Sequence, residues 1–283
     1  MGPANRTDKD VRMVKATPLV LSVTSGKGGV GKTNLSVGLA CELARLGRRV
    51  VLLDADLGLA NVDVILGLSP EKNLFHLFQE GAALEDILHP TPYGFSILPA
   101  ASGVTEMLDL DTGQKLELLE ALDALDSTTD VLLVDTGAGL GDNAVYFNIA
   151  VQERILVLTP EPTSLTDAYA LIKVLKAEHG VDRFRVLVNM APDAAAARDA
   201  FKRLSAATDT FLSGISLDFL GFIPKDPEVR AAVVEQKPFV RRSPDSPAAR
   251  ALTQAAGKVA ALKPPATLDG NIKFFWKKLL FQD

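Results

Sequence analysis

Lys32 and Thr33 sit side by side at the end of a glycine-rich run, Ser25-Gly26-Lys27-Gly28-Gly29-Val30-Gly31-Lys32-Thr33. The spacing fits G-x-x-x-x-G-K-[ST], a phosphate-binding loop (P-loop), between the apolar run Leu19 to Val23 and a helix-like stretch from Leu35 to Leu46. Glycines are needed there because the backbone must come close to a phosphate and bend in ways a Cβ forbids, aiming several N–H groups and a helix N-terminus at the anion. Lys32 supplies a point charge for the outer phosphates, and the Thr33 hydroxyl is placed to ligate Mg²⁺. Gly26, Lys27, Gly28, Gly29, Val30, Gly31, Lys32, Thr33 and Asn34 are the expected nucleotide contacts.

Carboxylates follow at two other strand ends. The first set is Asp54-Ala55-Asp56, running into Leu57-Gly58-Leu59-Ala60-Asn61. A carboxylate leaving a buried strand beside a P-loop can hold Mg²⁺ through water, and one two residues on lies in a loop free to approach the γ-phosphate. Taken singly, either aspartate reads first as a residue capping a loop; the P-loop before it shifts the reading to the metal and phosphate. The second is Asp135, which ends Val131-Leu132-Leu133-Val134 and precedes Thr136-Gly137-Ala138-Gly139. Four apolar residues and an Asp resemble a Walker B, with Asp135 on the metal side. The glycines after it permit a mobile switch.

The extra lysine, Lys27, adds nothing to holding a nucleotide from its own side, since Lys32 already does so; read locally it is a solvated loop residue. The whole loop nevertheless resembles the deviant Walker A of the MinD/ParA superfamily (SIMIBI type). That resemblance implies that Lys27 reaches across a dimer to the partner's phosphates, joining ATP binding to dimerisation. It also implies that Asp56, in a D-x-D-x-G-L-x-N pattern, activates the attacking water, so that Lys27, Lys32 and Asp56 form the catalytic set while Thr33, Asp54 and Asp135 serve Mg²⁺. Asp135-Thr136-Gly137-Ala138-Gly139 and the segment Thr159 to Lys173 are similar to the flagellar branch of the superfamily (FlhG, FleN, YlxH). Family order further assigns the adenine to Asn189 and to Phe222, Pro224 and Asp226, although Asn189 by itself reads as a turn residue and Phe222 as core. That branch often carries D-Q-A-x-x-L-R near its N-terminus, and Thr7 to Arg12 does not match it.

These residues need a scaffold that delivers them to one edge. Apolar runs recur at Leu19 to Val23, Val50 to Leu53, Phe95 to Leu98, Val131 to Val134, Ile155 to Leu158, Val186 to Val188 and Phe219 to Ile223. Such runs read as strands buried on both faces. Helices are expected at Leu35 to Leu46, Gln114 to Leu125, Leu165 to His179, Ala194 to Leu212 and Ala248 to Leu262. The alternation predicts an α/β, doubly wound, mostly parallel sheet covered by helices on both faces, the P-loop NTPase fold, with its ligand crevice at the carboxyl ends of the strands.

The expected organisation is a flexible segment over 1–15, an ATPase domain over 16–262, a linker over 263–270 and an amphipathic helix over 271–283. On that last helix Ile272, Phe275, Trp276, Leu279 and Leu280 share a face, with Lys273, Lys277 and Lys278 off it. It reads as an interfacial membrane helix of the kind MinD-like proteins carry; the competing reading is a terminal helix docked on the protein's own core.

Composition narrows the function. The chain has 283 residues, a formal net charge of −5 and a single cysteine, Cys41. An acidic balance argues against a general nucleic-acid coat, and one cysteine removes support for disulfides or zinc. With no C-x-x-C, an iron–sulfur carrier is disfavoured; a cobyrinate-type amide synthase would need a further domain. The N-terminal stretch lacks an apolar h-region, so a cytoplasmic protein, peripherally membrane-associated with ATP, is expected. The resemblance implies a slow regulatory ATPase using ATP/ADP and Mg²⁺ to control placement or number of flagella. Its expected partners are a second copy of the chain with ATP, an anionic membrane through 271–283, and a signal-recognition-type GTPase (FlhF), flagellar switch proteins or a flagellar transcription regulator. No specific nucleic acid is expected, and a ParA-type DNA or cargo partitioner is the alternative.

Overall fold

The computed structural model describes residues 18–56, 61–73, 83–99 and 127–263, with residues 76, 113, 116, 125 and 277 besides. Most of the expected helix at Gln114 to Leu125, and all of the 271–283 segment except Lys277, lie outside the described residues.

Each of the seven apolar runs is a strand. In chain order they are β1 (Leu19–Ser25), β2 (Val50–Ala55), β4 (Ser96–Pro99), β5 (Val131–Ala138), β6 (Glu153–Leu158), β7 (Arg183–Ala191) and β8 (Ser216–Pro224), with a two-residue β3 (His89–Pro90) before β4. They form one sheet in the order β3-β4-β2-β5-β1-β6-β7-β8. Among the described residues only the β3–β4 pair is antiparallel. The Val/Leu/Ile runs suit this sheet because helices cover both faces and leave no polar side to alternate with.

The helices are α1 (Lys32–Arg45), α2 (Val62–Leu66), α3 (Leu84–Ile87), α4 (Asp142–Ala150), α5 (Pro162–His179), α6 (Ala194–Phe211), α7 (Pro227–Val234), α8 (Phe239–Arg242) and α9 (Pro247–Ala260). Strand alternation divides the core between the two faces. Leu19, Leu21 and Val23 of β1, with Ile155 and Val157 of β6, pack with Leu35, Leu39 and Leu43 of α1 and Leu252, Ala256 and Val259 of α9. Leu156 and Leu158, with Val186 and Val188, pack instead with Leu171, Ile172 and Leu175 of α5 and Ala197 and Leu204 of α6.

Two buried polar groups tie α4 to the sheet, Asn148 to β1 and Arg154 to β6. The Asn148 amide accepts from Ser22 Oγ at 2.8 Å and donates to Thr24 Oγ1 at 2.9 Å and Ala144 O at 2.7 Å. Arg154, pushed down to about 10 by burial, donates to Asn148 O at 2.6 Å and Val151 O at 2.8 Å. It thereby satisfies carbonyls at the end of α4 that no helical N–H reaches. The stretch Asp142–Ala150 carries too weak an apolar stripe to be read as a helix from periodicity, and its hydrogen bonds to β1 are tertiary.

The order of strands has one consequence for chemistry. α1 carries the chain from β1 over β5 to β2, and α4 carries it from β5 over β1 to β6, so the crossovers leave in opposite directions around β1 and β5. A crevice opens at that point, at the carboxyl ends of the strands.

Candidate functional site

The loop after β1 is built for an anion. α1 begins at Lys32, a turn earlier than the apolar pattern alone suggests, because Gly31 at φ 85° turns the chain into the helix in the left-handed region that suits glycine. The N–H groups of the first turn therefore face the loop with no intrahelical acceptor. Gly26 has no room for a side chain: a Cβ there would strike the backbone of Asp167 on α5. At Gly28 and Gly29 a Cβ would meet no atom within 4 Å, so the loop's other side is an open concavity.

Lys32, only 6% exposed, lies over this loop with Nζ 3.0 Å from Asp135 Oδ1. Ser36, one helical turn on, donates to the same oxygen at 2.8 Å and lies 3.2 Å from Lys32 O. The other oxygen, Asp135 Oδ2, is buried with no hydrogen-bond partner. A buried carboxylate oxygen without a donor costs about 1–3 kcal/mol unless a ligand, water or ion completes it. A cation or its water shell at this place would complete that oxygen, so the residues fit Mg²⁺. Among the described residues no group of three or more His, Cys, Asp or Glu could cage a metal. A Mg²⁺ bound mainly by phosphates, waters and the Thr33 hydroxyl needs no such cage.

Asp54 lies directly opposite Asp135 in the β2–β5 register. Burial, and next the Asp135 charge beside it, push its carboxyl up to about 7, while N–H groups of Val62, Asp56 and Asn61 pull the other way. Its Oδ2 accepts from Asn61 N and Val62 N at 3.2 Å, and its Oδ1 from Asp56 N at 3.3 Å. Asp54 thus fastens the chain leaving β2 to the start of α2. Asp56 stands beside β5, with Oδ1 3.6 Å from where a Gly137 Cβ would be. Among the described residues nothing hydrogen-bonds its carboxylate. Gly137 and Ala138 extend β5, and Gly139 N–H donates to Ser25 O at 2.9 Å, so the glycine-rich switch begins against the P-loop strand.

Lys27 is turned away from the loop's interior. Its Nζ lies 3.0 Å from Glu161 Oε2 and 2.7 Å from Thr163 Oγ1, at the start of α5. Neither partner was marked by sequence as functional; both lie in the Thr159 to Lys173 segment, whose Pro-rich turn is what brings them to the loop.

Beyond Gly31 the crevice continues as a cleft of about 300 Å³, lined largely by apolar atoms of Leu35, Met190, Ile223, Pro224, Val229 and Val233, with Asn34, Asn189, Lys225, Asp226 and Arg230 at its polar edges. Four of the expected adenine-side residues need comment. Asn189, 6% exposed, donates Nδ2 to Val30 O at 2.7 Å and so braces the P-loop. Pro224 lines the cleft as expected. Phe222 does not: it lines the groove between β8 and α9 and packs with the α5–α6 core, and Ile223 takes its place. The reason is the pleat, since neighbouring residues of a strand point to opposite faces. Asp226 lines the cleft, but its two oxygens accept from Glu228 N and Ala248 N, both at 3.0 Å, serving the first turns of α7 and α9 together.

Comparison with known proteins agrees with this geometry. Residues 21–239 match the family described as the CobQ/CobB/MinD/ParA nucleotide binding domain. The chain is 49% identical over 261 residues to the antiactivator FleN of Pseudomonas aeruginosa, covering 92% of this chain and 93% of that one. It is 31% identical over 269 residues to the flagellum site-determining protein YlxH of Helicobacter pylori, covering 94% and 91%. Among solved structures, the septum site-determining protein MinD of Pyrococcus horikoshii, complexed with Mg-ADP, superposes with a TM-score of 0.65 at 28% identity, covering 86% of this chain and 96% of that one.

Proposed function

Because this chain belongs to the CobQ/CobB/MinD/ParA nucleotide-binding family, we propose that it is a regulatory ATPase that dimerises with ATP and, in that state, engages membrane and partners to set the number or placement of flagella. The chain is a P-loop ATPase of the MinD type, converting ATP and water to ADP and phosphate with Mg²⁺ as cofactor. The observation that carries the reading is the buried Lys32–Asp135–Ser36 cluster with its orphaned Asp135 oxygen beside the open glycine loop.

The chain's own groups divide the work. Loop and first-turn N–H groups hold the phosphates. An ammonium has three donors, so Lys32 can keep one on Asp135 and still offer two to the outer phosphates. Thr33 would ligate Mg²⁺ directly, with Asp54 and Asp135 acting through its waters; the ion, when bound, neutralises charge on the β- and γ-phosphate oxygens. Asp56, whose carboxylate meets no hydrogen-bond donor among the described residues, orients the attacking water.

Lys27 is the proposed link to dimerisation. Its pair with Glu161 is 35% and 66% exposed, and such surface pairs contribute little, so exchanging it for a partner's phosphate costs little. The amphipathic pattern over 271–283 supports attachment to an anionic membrane, which two copies in one dimer strengthen by avidity. No described helix is long and apolar enough to cross a membrane, so the attachment proposed is peripheral. The names of the FleN and YlxH relatives support the flagellar role.

Phosphate release tests the mechanism. Asp56→Ala should still bind ATP while turnover falls by about 10²-fold or more, since only the water-positioning group is gone. Full turnover in that variant would overturn the assignment. In the Asp56→Ala background, light scattering should show dimers with ATP and monomers with ADP, and adding Lys27→Ala should abolish the dimer. Vesicle co-sedimentation should follow the dimer, and Trp276→Glu should abolish it.

A further inference from the structure

The seam where α8 and α9 pack on α1 gathers positive charge on a chain whose formal net charge is −5. Arg45 of α1, Arg241 of α8 and Arg250 of α9 line a cleft of about 520 Å³ there, and among the described residues Glu42 is the carboxylate that lines it with them. Glu42 is 3% exposed and already engaged: Arg45 Nη2 lies 2.9 Å from its Oε2, and Thr253 Oγ1 donates to the same oxygen at 2.9 Å. Arg241 reaches Tyr93 O at 3.4 Å. Arg250 is exposed, and among the described residues its guanidinium makes no hydrogen bond or ion pair. At the other end of the seam Arg48 donates to Ala260 O, the end of α9, at 3.0 Å. Guanidinium groups placed together with so little acid repel one another, and what suits them is a phosphate, which their planar forks bind in pairs.

The seam also lies where the chain leaves the domain. α9 ends at Ala260, and residues 264–270 precede the amphipathic pattern of 271–283. That linker spans at most ~25 Å, and α9 from Arg250 to Ala260 about 15 Å, so a surface that takes the tail comes within reach of the arginines. A chain of net negative charge meets an anionic surface against repulsion unless it turns a positive face to it. We propose that this seam is a docking surface for the phosphate headgroups of anionic lipid: a contact made by the folded domain itself, in addition to the 271–283 helix, that sets which face of the domain lies on the membrane. The inference rests on the peripheral attachment proposed above.

Vesicle co-sedimentation of the full chain with ATP, in the Asp56→Ala background and on phosphatidylglycerol mixed with phosphatidylcholine, tests it. Arg250→Glu reverses the guanidinium that has no partner; at about fivefold per charge near an anionic surface, affinity should fall about 25-fold. Its melting temperature should be equal or higher, because a carboxylate in the first turn of α9 suits the helix N-terminus. Arg250→Lys keeps the charge and should lose less than about threefold. Arg198→Glu makes the same change of net charge on α6, across the sheet, and should lose less than about twofold, since the charge then lies beyond the screening length from the membrane. Unchanged affinity in Arg250→Glu, an equal loss in Arg198→Glu, or a loss accompanied by a lower melting temperature would each overturn the proposal, as would Arg250→Glu abolishing the binding of a DNA duplex while vesicle binding stays. If Trp276→Glu abolishes sedimentation and Arg250→Glu leaves it unaltered, only this proposal falls; if the unaltered chain does not sediment with the anionic vesicles, the peripheral attachment falls and this proposal with it.

Discussion

Lys32→Met is the substitution whose effect on the nucleotide-free protein follows most directly from the geometry. It removes the 3.0 Å partner of Asp135, a carboxylate with 0% exposure, and leaves that charge to the Ser36 hydroxyl alone. Breaking one side of a buried ion pair costs about 3–5 kcal/mol, chiefly the desolvation of the charge left behind. Since Ser36 still donates at 2.8 Å, the lower end, about 3 kcal/mol, applies here. For a domain of this size that is a fall in melting temperature of about 6–12 °C. The double variant Lys32→Met/Asp135→Val removes the stranded charge as well, and Ser36 can then turn to the residue-32 carbonyl, now 3.2 Å away. It should recover most of the loss, because exchanging a buried pair for apolar side chains is often close to neutral. Thermal unfolding followed by circular dichroism, without nucleotide or Mg²⁺, measures both. A single variant as stable as the unaltered chain, or a double less stable than the single, would refute the premise that this pair is a desolvated charge couple.

Three further outcomes are expected. Gly26→Ala drives a methyl into the Asp167 backbone and should displace the P-loop from α5, lowering ATP affinity by calorimetry at least tenfold, whereas Gly28→Ala, with open space around it, should leave the fold's melting temperature within about 2 °C. Asp226→Ala strips a side-chain cap from α7 and an N–H acceptor from α9 at once, which should cost about 2 kcal/mol, or about 4–8 °C, in a melting curve. Burial pushes the Cys41 thiol up to about 12 from its ordinary 9.0. Above the ordinary value the unfolded chain gives up this proton and the folded chain keeps it, so stability falls as pH rises between about 9 and 12. Against Cys41→Ala at the same pH, urea unfolding at pH ~10.5 should show about 2 kcal/mol of extra loss relative to pH ~8.

The residues proposed to perform the chemistry were legible because their spacing is itself the device. Gly26 to Thr33 must lie on consecutive backbone to cradle a phosphate, and Asp54 and Asp135 must end buried strands to reach the same edge, so local order implies the site before any packing is known. The sheet was legible for a related reason: strands buried on both faces leave uninterrupted apolar runs, and all seven runs are strands. What local order does not carry is which face a residue meets and which distant group it finds. Phe222 and Ile223 are both apolar and adjacent, and only the pairing of β8 decides that Ile223 faces the cleft. Lys27 finds Glu161 and Thr163 more than a hundred positions away, and Asp226 divides its oxygens between two helices that meet only in the folded chain. A bulge at Asn189 and Met190 depends on a register shift against β8 and on the bond from Asn189 to Val30, both of them long-range. Short helices such as α2, α7 and α8 stayed hidden because a few residues give too little periodicity to read, and packing of α2 on α1, of α8 on α1 and α9 and of α7 on α8, together with the Asp54 and Asp226 carboxylates, holds them in place.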